Sequence, residues 1–547
     1  MGEYTIEDFK GLDVRHMAES AEPDTLRQAV NIDLSPGRGY TSRNQLRKFA
    51  DVDSTSRGLY VIGDALRCAV PYPSGAIPRP PEGITYDFIS NTSGAYAGVL
   101  SAVPSAAGWH GDPYLCVQRT ATPQEAYEHH YLPSPQSPFQ GSATALTAVD
   151  QFQFGPALPA ALQTTTGWTI WFASALTGLF TPRTVVAVIS PTEVKVTPNI
   201  GATLPVGTLF VVRQAASTIV PLPFTPGPAM TIAAERVWAG DRTSLDVFYT
   251  AVGDPTDWTT INDAGFLPTG THVDGSMPIR GLGTFKGQLT VFYERNVQVW
   301  QVATIDPNTF RLLDNVGGAG TPFPASVANI RGDLIYFAEG GFHALSAVIT
   351  TGQLKDADVG AFIVRLTSQI DTTATPPYSV WSNFRAQYLC ATGSTVWVLT
   401  DSPVSGVRGW TTYSLPFEVE AIVEWRERIY VRRRGAAEVW VFDPTYTGEA
   451  GFQWTAQFQF LDFTVGRKLK QLITMSIIQE GESVLTLGFD PRNPAAQDVV
   501  MTLDGTSTSL GKIAIPAVFE VVQPQFTGTG PWDCDRIVFD YREGNLL

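Results

Sequence analysis

The sequence predicts an all-β protein, with a β-propeller core that carries an inserted small β-domain and a C-terminal β-sandwich. Short runs in which apolar and polar residues alternate recur along the chain. Charged residues make up only 16% of the 547 residues, while turn formers are abundant, with 49 Gly and 39 Pro. Alternation marks strands with one buried face, and low charge with many turns is typical of proteins built from short strands.

The propeller is predicted by repetition of one hairpin pattern. The segment GQLTVFYERNVQVWQV, residues 287–302, reads as two alternating runs separated by a polar turn. Similar units begin near Gly58, Arg236, Gly287, Gly332, Tyr388 and Arg428. Antiparallel units that repeat about every 40 to 55 residues are typical of propeller blades, which bury their faces by packing around a common axis.

The rhythm of these hairpins divides the chain into five predicted segments. We expect an N-terminal arm with the first strands (1–57), first propeller strands with long Pro/Gly-rich loops (58–140), an inserted small β-domain (141–225), propeller blades (226–450) and a C-terminal β-sandwich (451–547). Helix is scarce. The best helical candidate is 361–370, where Phe362, Leu366 and Ile370 would share one face.

Charge and hydropathy restrict the partners and the compartment. The net charge of −15 disfavours tight binding of nucleic acid, because such proteins usually neutralise phosphates with a basic surface. An acidic wall could still face DNA and leave it free to slide. The N-terminus lacks the pattern of a signal peptide, and the most apolar window, 168–180, is too short to span a bilayer. We expect a soluble chain made in the cytoplasm.

Residue types that usually carry catalysis or bind metals are scattered. Cys68, Cys116, Cys390 and Cys534 lie far apart and are expected as reduced thiols in strands. His129 and His130 would point to opposite faces of a strand, and we interpret them as a surface loop pair rather than as metal ligands. Motifs such as G-x-S-x-G, H-E-x-x-H and the P-loop are absent from the sequence. We therefore predict no catalytic residue, metal site or cofactor.

The carboxylates of VGDPTDWTT, residues 252–260, are candidates for a glycosidase site, since propellers often host such enzymes. The segment does not match the Ser-x-Asp-x-Gly-x-x-Trp pattern of sialidases. We interpret Asp254 and Asp257 as turn residues that cap backbone amides, with Trp258 covering the edge of a blade. Glycoside hydrolysis would need two carboxylates that converge in space.

Two basic clusters are the candidate interface residues. Arg432, Arg433 and Arg434 lie beside a hairpin turn, and Arg467, Lys468 and Lys470 precede an apolar strand. Such side chains could contact phosphate, pair with acidic residues of a neighbouring subunit, or stay solvated. The acidic balance of the chain makes pairing between subunits a better expectation than DNA binding.

Several segments resemble phage neck and tail proteins. The N-terminal segment resembles their opening phrase, in which a Phe, a Gly and an Asp or Asn lead to a segment with Asn and Gly and then to an Arg-rich stop, although Lys10 stands where a Gly is common. The matching residues are Phe9, Gly11 and Asp13, then Asn31, Gly37 and Arg43. Residues 234–260 and 287–302 are similar to blade strands of these proteins, and 460–477 is similar to a C-terminal strand.

The resemblance is to the propeller-based tail nozzle, or head-to-tail connector, of short-tailed phages. It implies a structural protein of the virion that forms a hexameric ring below the portal and adaptor. The ring would line the DNA exit channel, retain the packaged genome and dock tail fibres or spikes, with only transient contact to DNA. The repeated blades would then supply rigidity, and copies in a closed ring would form a channel by symmetry.

Two other functions fit the same fold. One is a virion-associated propeller that binds or cleaves glycans, with exposed Trp residues and paired carboxylates on one face. The other is a cellular scaffold that presents one propeller face to a partner. Assembly into rings would argue against both.

Overall fold

A computed structural model of the 547-residue chain gives the architecture. It describes residues 2–7, 9–15, 24–35, 39–71, 77–78, 80–89, 99–120, 126–132, 139–158, 169–173, 179–197, 206, 208–213, 218–273, 277–302, 306–338, 340–351, 359–372, 376–402, 406–463, 468–493, 499–504 and 513–544. Strands dominate these residues, as alternating sequences with few helix formers predict.

The first five strands do not form a sheet of their own, and each joins a sheet from elsewhere in the chain. They are β1 (Gly2–Ile6), β2 (Leu26–Val30), β3 (Ile32–Ser35), β4 (Gly39–Ser42) and β5 (Gln45–Asp51).

Blades one and two follow, and a barrel is inserted into the second. Blade one has β6 (Arg57–Ile62), β7 (Ala65–Pro71) and β9 (Ile84–Ile89), with β8 (Ile77–Pro78) beside the barrel. Blade two has β10 (Val99–Trp109), β11 (Asp112–Thr120), β12 (Ala126–Tyr131) and, after the barrel, β19 (Thr218–Ile219). The barrel strands are β13 (Phe139–Ala148), β14 (Gln151–Gly155), β15 (Thr169–Ala173), β16 (Leu179–Ser190), β17 (Glu193–Thr197) and β18 (Leu209–Arg213).

Five further blades run from residue 226 to residue 443. Blade three has β20 (Pro226–Ala233), β21 (Arg236–Asp241), β22 (Val247–Tyr249) and β23 (Gly265–Leu267). Blade four has β24 (Ile279–Phe285), β25 (Gln288–Tyr293), β26 (Asn296–Gln301) and β27 (Arg311–Gly317). Blade five has β28 (Ala328–Ile330), β29 (Asp333–Ala338) and β30 (Gly341–Ala344). Blade six has β31 (Tyr378–Ser382), β32 (Gln387–Thr392), β33 (Thr395–Asp401) and β34 (Arg408–Ser414). Blade seven has β35 (Val419–Trp425), β36 (Arg428–Arg433) and β37 (Glu438–Asp443).

Among the described residues, these seven blades form a closed ring, which makes the core a β-propeller. An apolar cluster joins every pair of neighbouring blades, including the seventh and the first. In ring order from the contact between blades one and two, representative pairs are Tyr60 with Leu115, Tyr114 with Val237, Trp238 with Leu289, Phe292 with Tyr336, Phe342 with Tyr388, Leu389 with Ile422, and Val439 with Leu66. Each blade therefore buries both of its faces against neighbours.

The N-terminal strand β5 closes the ring. It is the outermost strand of blade seven and pairs antiparallel with β37, with Asp51 opposite Glu438 and Gln45 opposite Asp443. Leu46 of β5 is buried in the cluster between blades six and seven. A strand from one chain end thus completes a sheet made at the other, so residues 45–51 belong to the propeller rather than to an arm.

Tight turns link the first two strands of five blades. Both central residues have positive φ, between 47° and 96°, in His110-Gly111, Ala234-Glu235, Lys286-Gly287, Arg331-Gly332 and Arg426-Glu427. Two-residue turns with this backbone suit the right-handed twist of paired strands. The segment 280–287 is therefore a strand followed by such a turn, as its sequence predicts, and not a phosphate-binding loop.

The inserted domain is a closed six-stranded barrel. Its strands pair in the order β15-β18-β13-β14-β17-β16, and β16 pairs again with β15. Phe152, Phe154 and Phe210 fill its centre. The barrel spans Phe139 to Arg213, which is narrower than the expected 141–225 at its C-terminal end. Strand β19 returns to blade two, and Val220 packs between blades two and three.

The C-terminal domain is a sandwich of two sheets. Its strands are β38 (Trp454–Phe458), β39 (Lys470–Glu480), β40 (Ser483–Gly488), β41 (Val499–Leu503), β42 (Ile513–Phe519), β43 (Gln523–Gly528) and β44 (Asp533–Glu543). One sheet has the order β3-β4-β44-β39-β42, with β1 also paired to β44. The other, β38-β43-β40-β41, continues through β2 into blade six and makes a nine-stranded sheet.

Helices are few in the described part of the chain. They are α1 (Leu345–Thr351), α2 (Val364–Thr367) and the 3-10 turns Thr260–Asn262, Thr269–His272, Pro307–Thr309, Pro324–Ser326 and Ala361–Ile363. The candidate helix 361–370 is thus a 3-10 turn joined to one helical turn. Phe362 and Leu366 are more than one-third exposed instead of sharing a buried face with Ile370, and Arg15 covers the Phe362 ring at 3.6 Å. The described helices include none with the length and apolarity to cross a membrane.

Candidate functional site

Arg432 is buried inside the chain, which corrects the expectation that it contacts a neighbouring subunit. Only 1% of its surface is exposed. Its Nη2 donates to the carbonyl of Ser56 at 2.7 Å, and its Nε lies 3.2 Å from a carboxylate oxygen of Glu420. Strand β36 turns this residue toward blade one, so Arg432 ties the last blade to the first. Burial also raises the pKa of the adjacent Cys68 thiol to about 12, even though Arg432 opposes the shift.

Arg433 and Arg434 are the accessible members of the basic run. The Arg433 guanidinium is 44% exposed and lies 3.0 Å from Glu438 of the same blade. Arg434 is 30% exposed and lies 3.9 Å from Glu418. Both already have acidic partners within the chain, and exposed pairs of this kind bind weakly enough to exchange partners.

The second basic cluster also contains one buried residue, Lys470, and one exposed residue, Lys468. Lys470 is fully buried, and its Nζ donates to the carbonyls of Lys468 and Glu520 at 2.9 and 2.8 Å, so it cannot reach a neighbouring subunit. Removal from water lowers its pKa. Lys468 is exposed and lies 3.7 Å from Glu543. Arg467 lies outside the described residues.

His129 and His130 are buried in strand β12, so the interpretation as a surface loop pair is wrong. They do point to opposite sides, as neighbours on a strand must. His129 Nδ1 lies 3.2 Å from the Tyr114 hydroxyl, and its ring packs against Trp258. Burial lowers the pKa of His129 to about 3, with a smaller contribution from the neighbouring His130, so the ring is neutral at pH 7.

His130 belongs to a buried polar triad on the other side of the strand. Its Nε2 lies 3.0 Å from a Glu128 carboxylate oxygen, and Arg119 Nε donates to the same oxygen at 2.7 Å. Burial opposes ionisation of Glu128, but hydrogen bonds from His130 and Arg119 outweigh it and lower its pKa. For His130, burial is the largest influence, and it lowers the pKa of the ring. The Arg119 guanidinium therefore neutralises the buried Glu128 carboxylate, and the neutral His130 ring adds a hydrogen bond to it.

Asp254 and Asp257 cap backbone amides, as their sequence predicts. The amide of Thr256 donates to Asp254 at 2.8 Å, and the amide of Thr259 donates to Asp257 at 2.8 Å. Trp258, which follows Asp257, is buried at the contact of blades two and three. Both carboxylates therefore have local structural roles.

The four cysteines are free and buried, and each lies in a strand. Among the described residues, no group of His, Cys, Asp and Glu is arranged to hold a metal ion. His16 lies outside the described residues.

A network of polar side chains connects the propeller to the sandwich, and the sequence pattern does not reveal it. We use the name junction for Asn31, Arg43, Ser414, Glu449 and Phe452. Arg43 binds Glu449 through both terminal nitrogens, at 2.8 and 2.9 Å, and donates from Nε to Asn31 at 2.7 Å. The side chain of Asn31 also accepts from the amide of Ser414 in blade six at 2.9 Å. The guanidinium lies over the Phe452 ring at 4.9 Å.

A cavity of about 370 Å³ opens beside the junction, between the end of blade seven and the sandwich. Arg43, Tyr446, Glu480, Trp532 and Asp533 are among its lining residues. Its described lining is largely polar and includes the hydroxyls of Thr41 and Ser42 and the carboxylates of Glu480 and Asp533.

Two solved structures resemble this chain at low sequence identity. No protein-family model matches the chain. No curated protein matches it either. Among solved structures, the phage phi92 endosialidase is 11% identical with a TM-score of 0.29, covering 73% of this chain and 68% of its own. BamB from Moraxella catarrhalis is 10% identical with a TM-score of 0.31, covering 72% of this chain and 97% of its own. At such identities and scores, neither match bears on function.

Proposed function

We propose that this protein is a structural component of the virion of a short-tailed phage, in which it forms the tail nozzle ring below the portal and adaptor. In this role it lines the DNA exit channel, retains the packaged genome and offers docking surfaces to tail fibres or spikes. It acts by shape and assembly rather than by catalysis, and it needs no cofactor.

The observation that carries this proposal is the position of the residues that resemble the N-terminal phrase of nozzle proteins. Asn31 and Arg43 are the centre of the junction. Phe9 packs edge-on against Tyr40 at 4.6 Å within the same core as the sandwich. A side chain at Gly11 would place its Cβ 2.4 Å from the backbone nitrogen of Trp410 in blade six. Gly37 lies outside the described residues.

These residues thus share one structural task, and that task suits a ring component. They fasten the sandwich to the propeller through a continuous nine-stranded sheet and a buried ion pair. A subunit that lines a channel under pressure from packaged DNA benefits from such a rigid connection, because movement between its domains would open the ring. The closed propeller adds stiffness without free strand edges between blades.

The electrostatics are compatible with passage of DNA. Copies of a chain with a net charge of −15 would surround the channel with excess negative charge. Like charge limits adhesion of the polymer during ejection. Arg433, Arg434 and Lys468 are the accessible candidates for pairing with acidic residues of a neighbouring copy or of the adaptor.

Negative-stain imaging of the purified chain, alone and mixed with a portal and adaptor complex, tests the proposal. We expect six-fold rings, or a six-fold extension on the end of the complex. Monodisperse monomers that never join the complex would contradict it. Cleavage of a host capsule or cell-wall glycan by the chain would instead favour the glycan-directed propeller.

A further inference from the structure

The outer face of one sheet of the sandwich is uncharged. Strands β38, β43, β40 and β41 bury apolar side chains such as Phe526 and Leu485 in the core, and the residues between these point outward. Among the described residues of the four strands, the outward positions hold Thr455, Gln457, Gln523, Gln525, Thr527, Val484, Thr486, Gly488, Val500 and Thr502. Surfaces that only face water usually mix acidic and basic residues.

The outer face of the other sheet provides the contrast. On β44 the outward side chains include Arg536, Asp540 and Arg542, which alternate with buried residues. Arg536 pairs with Glu7 at 2.7 Å, and Asp540 accepts from the Thr474 hydroxyl at 2.6 Å. The uncharged face is therefore a property of one sheet and not of the sandwich as a whole.

Three threonines and a valine form a row across the uncharged face. Thr455 is opposite Thr527 in the pairing of β38 with β43. Val484 of β40 lies between Thr527 and Thr502 of β41, opposite both. The row crosses four strands, a length of about 14 Å. Within the described part of the chain, the three threonine hydroxyls have no hydrogen-bond partner. We use the name threonine row for Thr455, Thr527, Val484 and Thr502.

The threonine row lines a cavity of about 640 Å³, a volume in the usual range of ligand sites. Its walls include residues 481–483 and 528–531. Trp454 Nε1 donates to the carbonyl of Gly530 at 2.9 Å, which holds the second of these segments in place. The polar side chains that line the cavity outside the row belong to Gln453, Glu482, Ser483 and Thr529.

The chemistry of this lining favours a neutral ligand that carries many hydroxyl groups. Hydroxyl and amide groups both donate and accept hydrogen bonds, as the hydroxyls of a sugar do. An anion such as phosphate is bound by cations and N–H donors instead, and an apolar ligand would leave the lining groups unpaired. The Glu482 carboxylate adds an acceptor for a sugar hydroxyl and would repel an anionic ligand.

We propose that the threonine row and its cavity bind a neutral oligosaccharide. The sugar chain lies along the row, where its hydroxyls form hydrogen bonds with Thr455, Thr527 and Thr502 and the C–H groups of one ring contact Val484. The row is longer than one sugar ring, so it suits a short oligosaccharide better than a monosaccharide. The inference goes beyond the proposed ring and does not depend on it, because the whole site lies within one copy of the chain.

Biolayer interferometry of the full chain on immobilised polysaccharides tests the proposal. The probes are dextran, mannan and galactomannan, which are neutral, and polygalacturonate, which is anionic. We expect the chain to bind at least one neutral polymer and not polygalacturonate, and a free oligosaccharide of the same sugar to compete. Binding to none of the polymers, or only to polygalacturonate, overturns the inference.

Two variants locate the binding at the threonine row. Thr502→Val/Thr527→Val removes two hydroxyls and keeps the branched shape of the side chains. We expect the affinity for the neutral polymer to fall at least about tenfold, because two hydrogen bonds are lost. Val484→Phe keeps the hydroxyls but fills the cavity, and it should lower the affinity as well. Circular dichroism establishes that each variant is folded, and unchanged affinity in both overturns the inference.

The matched control is Thr5→Val/Ser476→Ala, which removes two hydroxyls from the outer face of the charged sheet. Thr5 and Ser476 are both opposite Val538, in a row like the threonine row. The affinity of this control for the polymer should equal that of the wild type, and an equal loss in the control and in the row variants overturns the inference. Failure of the proposed function looks different, since the chain would then bind the polymer yet never form six-fold rings.

Discussion

At the scale of single residues, the basic run Arg432–Arg434 shows how alternation along a strand decides a role. The sequence places three arginines together and suggests one surface. Strand β36 sends Arg432 into the contact with blade one and leaves Arg433 outside. Alternation along a strand predicts that neighbouring side chains point to opposite faces. It does not predict which side chain is buried, because that depends on blade one, which is far away in the sequence.

Replacing Arg432 should destabilise the protein far more than replacing Arg433. Arg432→Ala leaves Glu420 and the carbonyl of Ser56 without their buried partner, and we expect a loss of about 3 kcal/mol in the free energy of unfolding. Arg433→Ala removes an exposed pair and should cost at most about 1 kcal/mol. Urea denaturation followed by tryptophan fluorescence measures both. Equal losses would mean that Arg432 does not hold the ring closed.

His129 should make the protein sensitive to acid. Its folded pKa of about 3 is below the unfolded value of 6.5, so the unfolded state binds more protons between these pH values. Stability is therefore complete above pH 6.5 and falls as the pH drops toward 3, by about 2–3 kcal/mol at pH 4.5.

The variant His129→Phe removes this titration and keeps an aromatic ring beside Trp258. The difference in unfolding free energy between pH 7 and pH 4.5 should be smaller for the variant than for the wild type by that amount. The comparison is made by urea denaturation at the two pH values. The same difference in both proteins would assign the acid sensitivity to other groups.

At the scale of elements, local patterns were reliable and distant pairings were not. The Asp254 and Asp257 turns, the strand positions of the four cysteines and the hairpins of blades three and four follow from residues close together in sequence. The pairing of the closing strand β5 does not follow from nearby residues, because its partner β37 is distant in the sequence. The end of the inserted domain was misplaced because β19 is only two residues long and is recognisable only by its pairing with β12.

Removal of the barrel should leave a folded propeller if the cut follows the structure. Strands β12 and β19 are paired, with His130 opposite Ile219, so the two ends of the insertion are close. Replacing residues 139–213 with a short Gly/Ser linker should keep a cooperative unfolding transition. Deleting 141–225 would also remove Val220 and Phe224 from the contact of blades two and three. That longer deletion is expected to be less stable, and calorimetry of the two deletions compares them.

At the scale of the whole molecule, the junction makes two domains behave as one. Because blade six and one sandwich sheet share β2, and Arg43 binds Glu449 in the connecting segment, we expect a single calorimetric transition for propeller and sandwich. Arg43→Met removes the buried cation and leaves Glu449 unpaired, so the transition should split or broaden. Arg47→Met, at a 45% exposed residue of β5, is the control and should keep one transition. A single sharp transition in both variants would locate the coupling in the shared sheet alone.

The fold class was accessible from composition and repetition, whereas the junction was not. Asn31, Arg43 and Glu449 look like ordinary polar residues in the sequence, and their partnership joins positions 406 residues apart. The resemblance marked Asn31 and Arg43 without giving a reason for them. The structure supplies the reason, which is the bidentate pair and the amide that orients it.

The closing strand β5 also has a consequence for synthesis on the ribosome. Lys48 and its partner Glu438 are 390 residues apart, so β5 leaves the ribosome long before its sheet exists. At about 5 to 20 residues per second, it waits some tens of seconds as an unpaired strand. The ring can close only once β37, which ends at Asp443 of the 547 residues, has been made, and termination before that point leaves an open propeller with a free edge. Production of this protein should therefore depend on chaperones that protect nascent strands, more than the stability of the finished ring would suggest.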